Sequence, residues 1–279
     1  MSDKVEQNLQ EIMRSSTYRL AIEDPHFLKS PELRSVRVQL ELLKPELVFS
    51  ELGINSTVVA FGGTQIVDEA EATRKLVNAK SALKRSPENT GLKRAVERSE
   101  RILAKSKYYE AAREFAGLVS VARQTNGACD YVIVTGGGPG IMEAANRGAF
   151  EANSKSIGLN ISLPAEQRPN PFITPELCFQ FQYFAMRKLH FLMRAKALVV
   201  FPGGFGTLDE LFDALTLRQT HRMQSIPIIL FGRDYWSTVI NFEFLADEGV
   251  IADEHLELVQ YAETPEEAWQ VICDYHGLN

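Results

Sequence analysis

The sequence predicts an α/β protein in which helices cover both faces of a parallel sheet, and two observations carry this prediction. Apolar runs of strand length alternate with helical stretches along most of the chain. Three of the runs are apolar on both faces and end directly in glycine-rich turns, after Phe61, Thr135 and Phe201. Such runs are typical of buried parallel strands. The predicted class is therefore a Rossmann-like, doubly wound parallel sheet flanked by helices, with a helical N-terminal extension.

The individual elements follow from the same patterns. The predicted strands comprise residues 57–61, 131–135, 156–163, 178–183, 197–201 and 227–231. The predicted helices comprise residues 108–123, 184–196, 207–219, 236–247 and 265–275, with one more after Gly140. The last begins with Thr264-Pro-Glu-Glu267, in the manner of a capping box. Because ligands collect beyond the carboxyl ends of parallel strands, we expect the three glycine turns to line one crevice.

The predicted domains are a helical N-terminal extension, residues 1–55, and a Rossmann-like nucleotide-binding domain, residues 56–279. Ser30-Pro31 is a favourable helix start, and apolar residues then repeat at helical spacing until Pro45 interrupts them. We expect these helices to pack on the core or on another subunit.

Residues 71–107 are predicted to be a basic helical hairpin inserted into the second domain and broken near Ser86-Pro-Glu-Asn-Thr-Gly91. They contain 11 Lys and Arg against 4 Glu, a local charge of +7. A solvated helical face accounts for such a pattern, and contact with an acidic partner or an anionic ligand is the alternative. A DNA-binding hairpin is a further interpretation.

Composition bounds the class of protein. The 279 residues are 45% hydrophobic and 24% charged, which is ordinary for a globular protein of one large or two small domains. The net charge of −6 does not suggest a general nucleic-acid binder. A secretion signal and a membrane-spanning run are both missing from the sequence, so we expect a cytoplasmic protein. The three cysteines, Cys129, Cys178 and Cys273, lack metal-like spacing and are expected to be unbridged.

The turn after Phe201 is the strongest candidate for a ligand site. Gly203, Gly204 and Gly206 let the backbone turn sharply and leave its amides uncovered at a helix N-terminus, which attracts anions. The turn after Thr135 lacks the G-x-G-x-x-G spacing of dinucleotide sites, and no P-loop motif occurs. Three glycine turns at strand ends therefore favour a mononucleotide or another phosphorylated ligand.

Two charged residues near this turn have alternative roles. Glu210 would repel a phosphate, yet the Thr207 to Glu210 spacing also fits a capping box, so the glutamate can be a helix cap, a catalytic group or both. Arg187 precedes Lys188 in an otherwise apolar helix. It is either a solvated residue at a helix end or a cation directed at the crevice, where it can hold a phosphate or a leaving group.

The segment Pro202-Gly-Gly-Phe-Gly-Thr-Leu-Asp-Glu210 resembles the P-G-G-x-G-T-x-x-E signature of the LOG family, also labelled "possible lysine decarboxylase". Met186-Arg-Lys188 is similar to the family's upstream arginine-lysine element. The resemblance extends from about Thr57 to Gly249. It implies a phosphoribohydrolase, which cleaves the N-glycosidic bond of a nucleoside 5′-monophosphate into free base and ribose 5-phosphate. In plant-type members the base is a cytokinin, whose biosynthesis they serve, and bacterial relatives also act on AMP.

The resemblance also implies roles for individual residues. Arg187 and Glu210 are the implied catalytic pair. The residues implied to hold the 5′-phosphate are Gly203, Gly204, Gly206 and Thr207. The residues implied to complete the nucleotide pocket are Gly62, Gly63, Gly136, Gly137, Gly138, Gly140, Met186 and Lys188. The chain departs from the family in the turn Phe61-Gly-Gly-Thr-Gln65, where many relatives have F-G-S followed by a basic residue, and at Glu143, where compact members have glycine. Either change can alter the preference for the base.

The implied enzyme needs neither a metal ion nor an organic cofactor and forms a homodimer or a higher homo-oligomer, with helices near Arg187 at the subunit interface. Decarboxylation is disfavoured, because it needs a pyridoxal phosphate lysine with an orienting constellation that this sequence does not supply. The alternative from another functional class is a non-catalytic carrier of a nucleotide or of the molybdenum cofactor. Neither a membrane nor a nucleic acid is an expected partner.

Overall fold

The computed structural model describes residues 2–124, 129–163 and 168–278, and the chain divides into two compact units, Met1–Lys44 and Pro45–Asn279. Helix α3, Arg34–Glu51, crosses the point of division with Pro45 inside it, so the interruption predicted at Pro45 is wrong. The division therefore lies inside a helix and does not coincide with the end of a secondary-structure element. The domain boundary predicted after residue 55 stays a prediction.

The first unit is helical, as predicted. It contains helix α1, Ser2–Arg14, the short helix α2, Pro25–Leu28, and the first part of α3. Arg37 of α3 donates hydrogen bonds from Nη1 to the carbonyl oxygens of Leu28 and Ser30, at 2.9 and 2.7 Å. These bonds hold the chain that follows α2 against the start of α3.

The second unit is built on a seven-stranded sheet in which every pair of neighbours is parallel. Its strands are β1, Thr57–Phe61; β2, Val132–Thr135; β3, Ser156–Ile161; β4, Cys178–Phe181; β5, Ala195–Val200; β6, Ile228–Phe231; and β7, Val259–Ala262. The order β4-β3-β2-β1-β5-β6-β7 confirms the doubly wound class. The sequence pattern missed β7, whose Val-Gln-Tyr-Ala run is short and only partly apolar.

Nine helices of the second unit follow α3 within the described ranges. They are α4, Glu69–Arg85; α5, Thr90–Leu103; α6, Ser106–Arg123; α7, Ile141–Glu151; α8, Phe184–Met193; α9, Phe205–Gln219; α10, Arg233–Val239; α11, Phe242–Asp247; and α12, Pro265–His276. The capping box predicted at the start of α12 is confirmed. The Thr264 side chain accepts a hydrogen bond from the Glu267 N–H, and the Glu267 side chain accepts one from the Thr264 N–H. None of these helices is both long and apolar enough to cross a membrane.

Two predicted helix boundaries are wrong. The single helix predicted over residues 236–247 is divided into α10 and α11, because Ile240 is extended and the Asn241 side chain caps α11 by accepting from the Phe244 N–H. The helix predicted to reach Lys196 ends at Met193, and β5 begins two residues earlier than expected. There the chain passes from helix to strand over one residue, Arg194, without the glycine or proline that marks such a boundary in sequence.

The core lies on both faces of the sheet. Alternate residues of β1 enter different clusters: Val59 and Phe61 join the side covered by α8 and α9, while Val58 and Ala60 join the side covered by α6 and α7. This is why β1 is apolar at every position. Helix α3 contributes Phe49, which packs edge-on against Phe179 at a centroid distance of 5.4 Å.

The direction of winding reverses between β1 and β5, which are neighbours in the sheet although far apart in the chain. The Phe201 N–H donates to the Phe61 carbonyl oxygen at 2.8 Å, and the Gly63 N–H donates to the Pro202 carbonyl oxygen at 2.9 Å. The turns that follow the two strands are therefore held side by side. A reversal of this kind is where doubly wound sheets bind their ligands.

Candidate functional site

A cavity of about 370 Å³ lies at this reversal, at the carboxyl ends of β1, β2 and β5. All three glycine turns contribute to it, as expected from the sequence. Its lining includes the predicted site residues Gly62, Gly63, Gly136, Gly204, Gly206, Thr207, Arg187 and Glu210. The cavity is large enough for a small ligand of about nucleotide size.

The first turn of α9 forms one side of the cavity. Gly204 is the N-cap residue, and no side chain caps the helix there. The backbone N–H groups of the first turn have no partner within the helix and carry the positive end of its dipole. Because Gly204, Gly206 and Thr207 also line the cavity, an anion can be bound at this helix N-terminus.

Gly203 shapes this turn and does not line the cavity. A Cβ atom at Gly203 would lie only 2.1 Å from Oγ1 of Thr207, so the turn and the helix can approach only with glycine here. The Tyr235 hydroxyl donates to the Gly203 carbonyl oxygen at 2.6 Å and holds the turn from behind. Sequence reasoning missed Tyr235, because it comes from α10, after the next strand.

The capping interpretation of Thr207 and Glu210 is wrong. The predicted box required Thr207 as the N-cap residue, but α9 begins at Phe205, so Thr207 is already in the first turn and Glu210 in the second. At that position the Glu210 carboxylate is too far along the helix to reach the free N–H groups. The glutamate therefore has a different partner.

That partner is Arg187 of α8. Its Nη2 donates to Oε1 of Glu210 at 3.0 Å, and the two side chains are only 14% and 7% exposed. The guanidinium also lies over the rings of Phe184 and Phe191, at 5.2 and 5.7 Å from their centroids. These contacts fix the arginine on the cavity wall. Its Nε is buried without a hydrogen-bond partner in the described part of the chain.

Burial raises the pKa of Glu210 above the ordinary value of a glutamate, and the neighbouring Arg187 and Lys188 oppose part of that rise. The cause that dominates is the loss of water around the carboxylate. A carboxylate in this environment is held next to a cation, away from solvent, beside a site for an anion. Buried carboxylates with a shifted pKa are more common at functional sites than in ordinary structural ion pairs.

The turn after β2 is held by a buried polar network. The Gly137 N–H donates to Thr135 Oγ1 at 3.0 Å, and that hydroxyl donates to Asn146 Oδ1 at 2.7 Å. Asn170 Nδ2 donates to the Gly138 carbonyl oxygen at 3.1 Å and to Asn146 Oδ1 at 2.9 Å. Sequence reasoning missed these side chains, because no local pattern joins residues that lie 11 to 35 positions apart.

Of the four glycines predicted in this turn, Gly136 lines the cavity and the other three build the turn behind it. Gly140 has φ +74°, and a Cβ atom there would lie 2.4 Å from the Gly63 carbonyl oxygen. The turns after β1 and β2 are therefore in direct contact. Thr64 also lines the cavity, whereas Glu143 is outside it and accepts a hydrogen bond from the Tyr109 hydroxyl at 3.1 Å.

Met186 and Lys188 do not line the cavity. Lys188 Nζ forms ion pairs with Asp209 at 2.9 Å and Asp213 at 3.8 Å, and Met186 packs against the core. Successive residues of a helix point about 100° apart, so only Arg187 of this trio can face the cavity.

The remaining wall of the cavity is apolar, and sequence reasoning did not predict it. Its residues are Phe61, Met142, Ile161, Leu163, Phe184, Phe191 and Phe205. Phe205 is 93% exposed although it is large and apolar. An apolar wall opposite backbone amides and a charged pair suits a ligand with a flat apolar part and an anionic part. Among the described residues, no group of three or more His, Cys, Asp and Glu is arranged to hold a metal ion.

The fold and the cavity define a doubly wound α/β protein with a cavity at the switch point of its sheet. Residues 142–272 match the family described as "Possible lysine decarboxylase". The resemblance to the LOG family, inferred from the glycine signature, is thereby confirmed. The matched range includes Arg187 and the whole signature, and it begins two residues after Gly140.

Curated relatives agree with this assignment at modest identity. The pyrimidine/purine nucleotide 5′-monophosphate nucleosidase of Escherichia coli (strain K12) is 33% identical over 124 residues, which are 39% of this chain and 27% of that enzyme. Cytokinin riboside 5′-monophosphate phosphoribohydrolase LOG3 of Arabidopsis thaliana is 26% identical over 176 residues, 61% of this chain and 77% of that enzyme. The chain thus spans about a quarter of the length of the bacterial enzyme.

Solved structures with a related outline include the molybdenum cofactor binding protein from the phototrophic bacterium Rippkaea orientalis. It is 20% identical, with a TM-score of 0.44 over 61% of this chain and 88% of that protein. The Moco carrier protein from Chlamydomonas reinhardtii is 19% identical, with a TM-score of 0.41 over 61% and 88%.

The contact between the first two turns can be tested with a matched pair of glycine substitutions. Gly140→Ala should destabilise the protein by more than the ~1–2 kcal/mol expected in the left-handed helical region, because Gly140 combines its positive φ with ψ −131° and because the new methyl group meets the carbonyl oxygen of Gly63. Gly249→Ala is the control, since Gly249 has a similar φ of +69° with nothing near its Cβ position. Urea unfolding measures both. Equal losses in the two variants would mean that the turns separate freely.

Proposed function

We propose that this protein hydrolyses the N-glycosidic bond of a nucleoside 5′-monophosphate, releasing the free base and ribose 5-phosphate. The observation that carries the proposal is the buried Arg187–Glu210 pair on the wall of a cavity that also presents the free N-terminus of α9. A carboxylate placed beside an anion site serves no purpose in phosphate binding alone. It does serve a reaction in which positive charge develops a few bonds away from a phosphate.

The proposed pose places the 5′-phosphate on the backbone N–H groups from Gly204 to Thr207. The base then lies along the apolar wall, and the ribose lies between them, next to Glu210. Binding the two ends holds the sugar in place and lowers the entropic cost of reaching the transition state. The many apolar side chains in the wall support a site that selects its base by shape and by stacking.

The proposed chemistry needs one water molecule and no cofactor. The bond between C1′ and the base nitrogen breaks with its electron pair leaving on the base, and the sugar becomes oxocarbenium-like. Ionised Glu210 stabilises that positive charge and orients the water, which adds its hydroxyl group to C1′ while its other proton ends on the base. Arg187 holds the carboxylate in place through the hydrogen bond from its Nη2.

The relatives support this reaction class, because both the bacterial nucleosidase and the plant phosphoribohydrolases are named for cleaving nucleoside monophosphates. AMP is the proposed first substrate to assay, with a cytokinin riboside 5′-monophosphate as the plant-type alternative. Decarboxylation, which the family description suggests, has no support at this site: the nearby Lys188 is engaged by Asp209 and Asp213.

We further propose a homodimer that acts in the cytoplasm. Large apolar side chains are exposed on α8 and α9 beside the cavity, namely Phe184, Leu189, Met193, Phe205 and Phe212. A second copy would cover them. Within the described residues none of the three cysteines forms a disulfide bond, which a reducing compartment favours.

The dimer can be tested by light scattering at micromolar concentration, which should give twice the mass of the chain. The double variant Leu189→Glu with Met193→Glu should give a monomer. A monomeric wild-type protein would contradict the proposal.

The catalytic role of Glu210 can be tested by Glu210→Gln, which keeps the size of the side chain and an acceptor for Arg187 but removes the charge. We expect the release of adenine from AMP to fall ~10²–10⁴-fold in kcat. Asp209→Asn is the matched control: it removes one charge from the preceding residue, which is exposed, and should stay within a few-fold of the wild type.

If the Glu210→Gln variant keeps the turnover of the wild type, Glu210 has a structural role and not a catalytic one. Tight binding of a nucleotide by the wild type, with no base released from any nucleoside monophosphate, would instead favour the carrier alternative. Arg187→Ala is a poorer test, because it leaves a buried carboxylate unpaired and affects folding together with catalysis.

The raised pKa of Glu210 makes a prediction about stability. A group whose folded pKa is raised adds stability below its unfolded pKa and loses it as the pH rises through the folded value. The unfolding free energy of the wild type relative to Glu210→Gln should therefore decline as the pH rises above about 4.3, the ordinary glutamate value. Urea unfolding of both proteins at several pH values measures this difference. A difference that grows with pH would show that pairing with Arg187 outweighs burial.

A further inference from the structure

The hairpin of α4 and α5 carries a row of cations that the cavity does not use. Arg94, Arg98, Arg101 and Lys105 follow one another at spacings of four, three and four residues. The three arginines lie in α5, and at 100° per residue they fall within an arc of about 60° and extend over about 10 Å along the helix axis; Lys105 follows two residues after the helix ends. We call these four residues the basic row. Its three arginines are exposed, and Lys105 is half-buried at the end of the helix.

The basic row is not neutralised by the protein. Residues 71–107 are all described, and four of their eleven cations form ion pairs: Arg74, Lys75, Lys80 and Lys93. The four residues of the basic row form none, and neither do Lys84 and Arg85 in the last turn of α4. Glu97, at the edge of the row, weakens its positive potential but is a single charge. The local charge of +7 is therefore concentrated on a surface without internal partners.

The way the hairpin folds directs these charges outward. Lys80 Nζ lies 2.9 Å from Glu100 Oε1, which sets the two helices antiparallel and places Lys84 and Arg85 near the level of Ala95. Leu92, Val96 and Leu103 are half-buried on another side of α5. The three arginines of the basic row are thus on the outer face of an amphipathic helix, and the cations at the end of α4 lie at about the level of Arg94 along the hairpin.

We infer that the basic row binds the phosphodiester backbone of a nucleic acid. The three arginines, over about 10 Å, span about three phosphates of one strand of a duplex, and arginine pairs with phosphate in bidentate geometry. An acidic protein is the less fitting partner, because protein interfaces have an apolar centre. No large hydrophobic side chain is exposed between Val77 and Val121, a range that the structure describes completely. The contacts are to phosphate alone, so binding is independent of base sequence.

This inference is compatible with the net charge of −6, because the hairpin concentrates the positive charge in 37 residues while the rest of the chain is acidic. Acidic surroundings repel the nucleic acid from the rest of the molecule and leave the hairpin as its point of attachment. The inference does not depend on the proposed hydrolase activity, which involves different residues.

The test is fluorescence anisotropy of the full-length protein with a labelled duplex DNA of about 20 base pairs and a single-stranded RNA of equal length, from about 50 to 200 mM salt. The variant is Arg94→Gln with Arg98→Gln and Arg101→Gln. The matched control is Lys75→Gln with Lys80→Gln and Lys93→Gln, which removes the same charge from cations that already have carboxylate partners.

For the wild type we expect a dissociation constant that rises steeply with salt, with a slope of about −3 to −4 in the logarithmic plot for the duplex. The arginine variant should bind at least ~10-fold more weakly at about 50 mM salt, with a slope reduced by about 3, while the lysine control loses much less. Comparison of the two probes shows whether DNA or RNA is preferred. Thermal unfolding and the release of adenine from AMP should be unchanged in both variants, which confirms that they fold.

Three results would overturn the inference. The first is that neither nucleic acid binds at about 50 mM salt. The second is that the arginine variant and the lysine control lose the same affinity, which makes the effect one of net charge. The third is that polyglutamate binds as tightly as the nucleic acids and with the same dependence on the arginines, which assigns the surface to an acidic polypeptide.

Discussion

The parallel pairing of β1 with β5 is the interaction on which the rest of the structure depends. It joins strands separated by more than 130 residues of chain and places one glycine turn beside the other, with the Phe61 and Pro202 carbonyl oxygens accepting hydrogen bonds across the gap. All further strands are added outward from this pair in two directions. The cavity forms here because the helices that follow the two strands diverge to opposite faces of the sheet. No other pair of strands in the order leaves such an opening.

The same pairing explains why the turns are rich in glycine and why they need support from a distance. Backbones that approach this closely leave no room for Cβ atoms, as the positions of Gly140 and Gly203 show. Glycine also adds conformational freedom, which weakens a turn unless other groups fix it. Tyr235 fixes one turn through its hydroxyl group, and the Asn146 network fixes another. The cavity is thus preorganised by buried hydrogen bonds and not by the glycines themselves.

Much of this architecture could be predicted from the sequence, because a buried parallel strand has an unmistakable pattern. The strand of Thr57–Phe61 was predicted to the residue, and the three glycine turns were correctly expected to meet. The start of α9 could not be predicted, because Gly-Phe-Gly is a poor helical sequence and no side chain caps the helix there. The partner of Glu210 could only be found in three dimensions: capping depends on local spacing, whereas the bond from Arg187 joins two helices.

The position of Glu210 resolves an apparent conflict between a carboxylate and an anion site in one cavity. A carboxylate at the start of α9 would occupy the free N–H groups and compete with a phosphate for them. One turn further along the helix, the Glu210 carboxylate cannot reach those groups, and its negative charge is balanced by the guanidinium of Arg187. The pair is then nearly neutral toward a distant phosphate, yet the carboxylate remains able to interact with positive charge that develops close to it. Burial keeps this pairing strong, because little water is present to screen it. The separation of the glutamate from the helix N-terminus is therefore what allows the two opposite electrostatic environments to coexist within one small site.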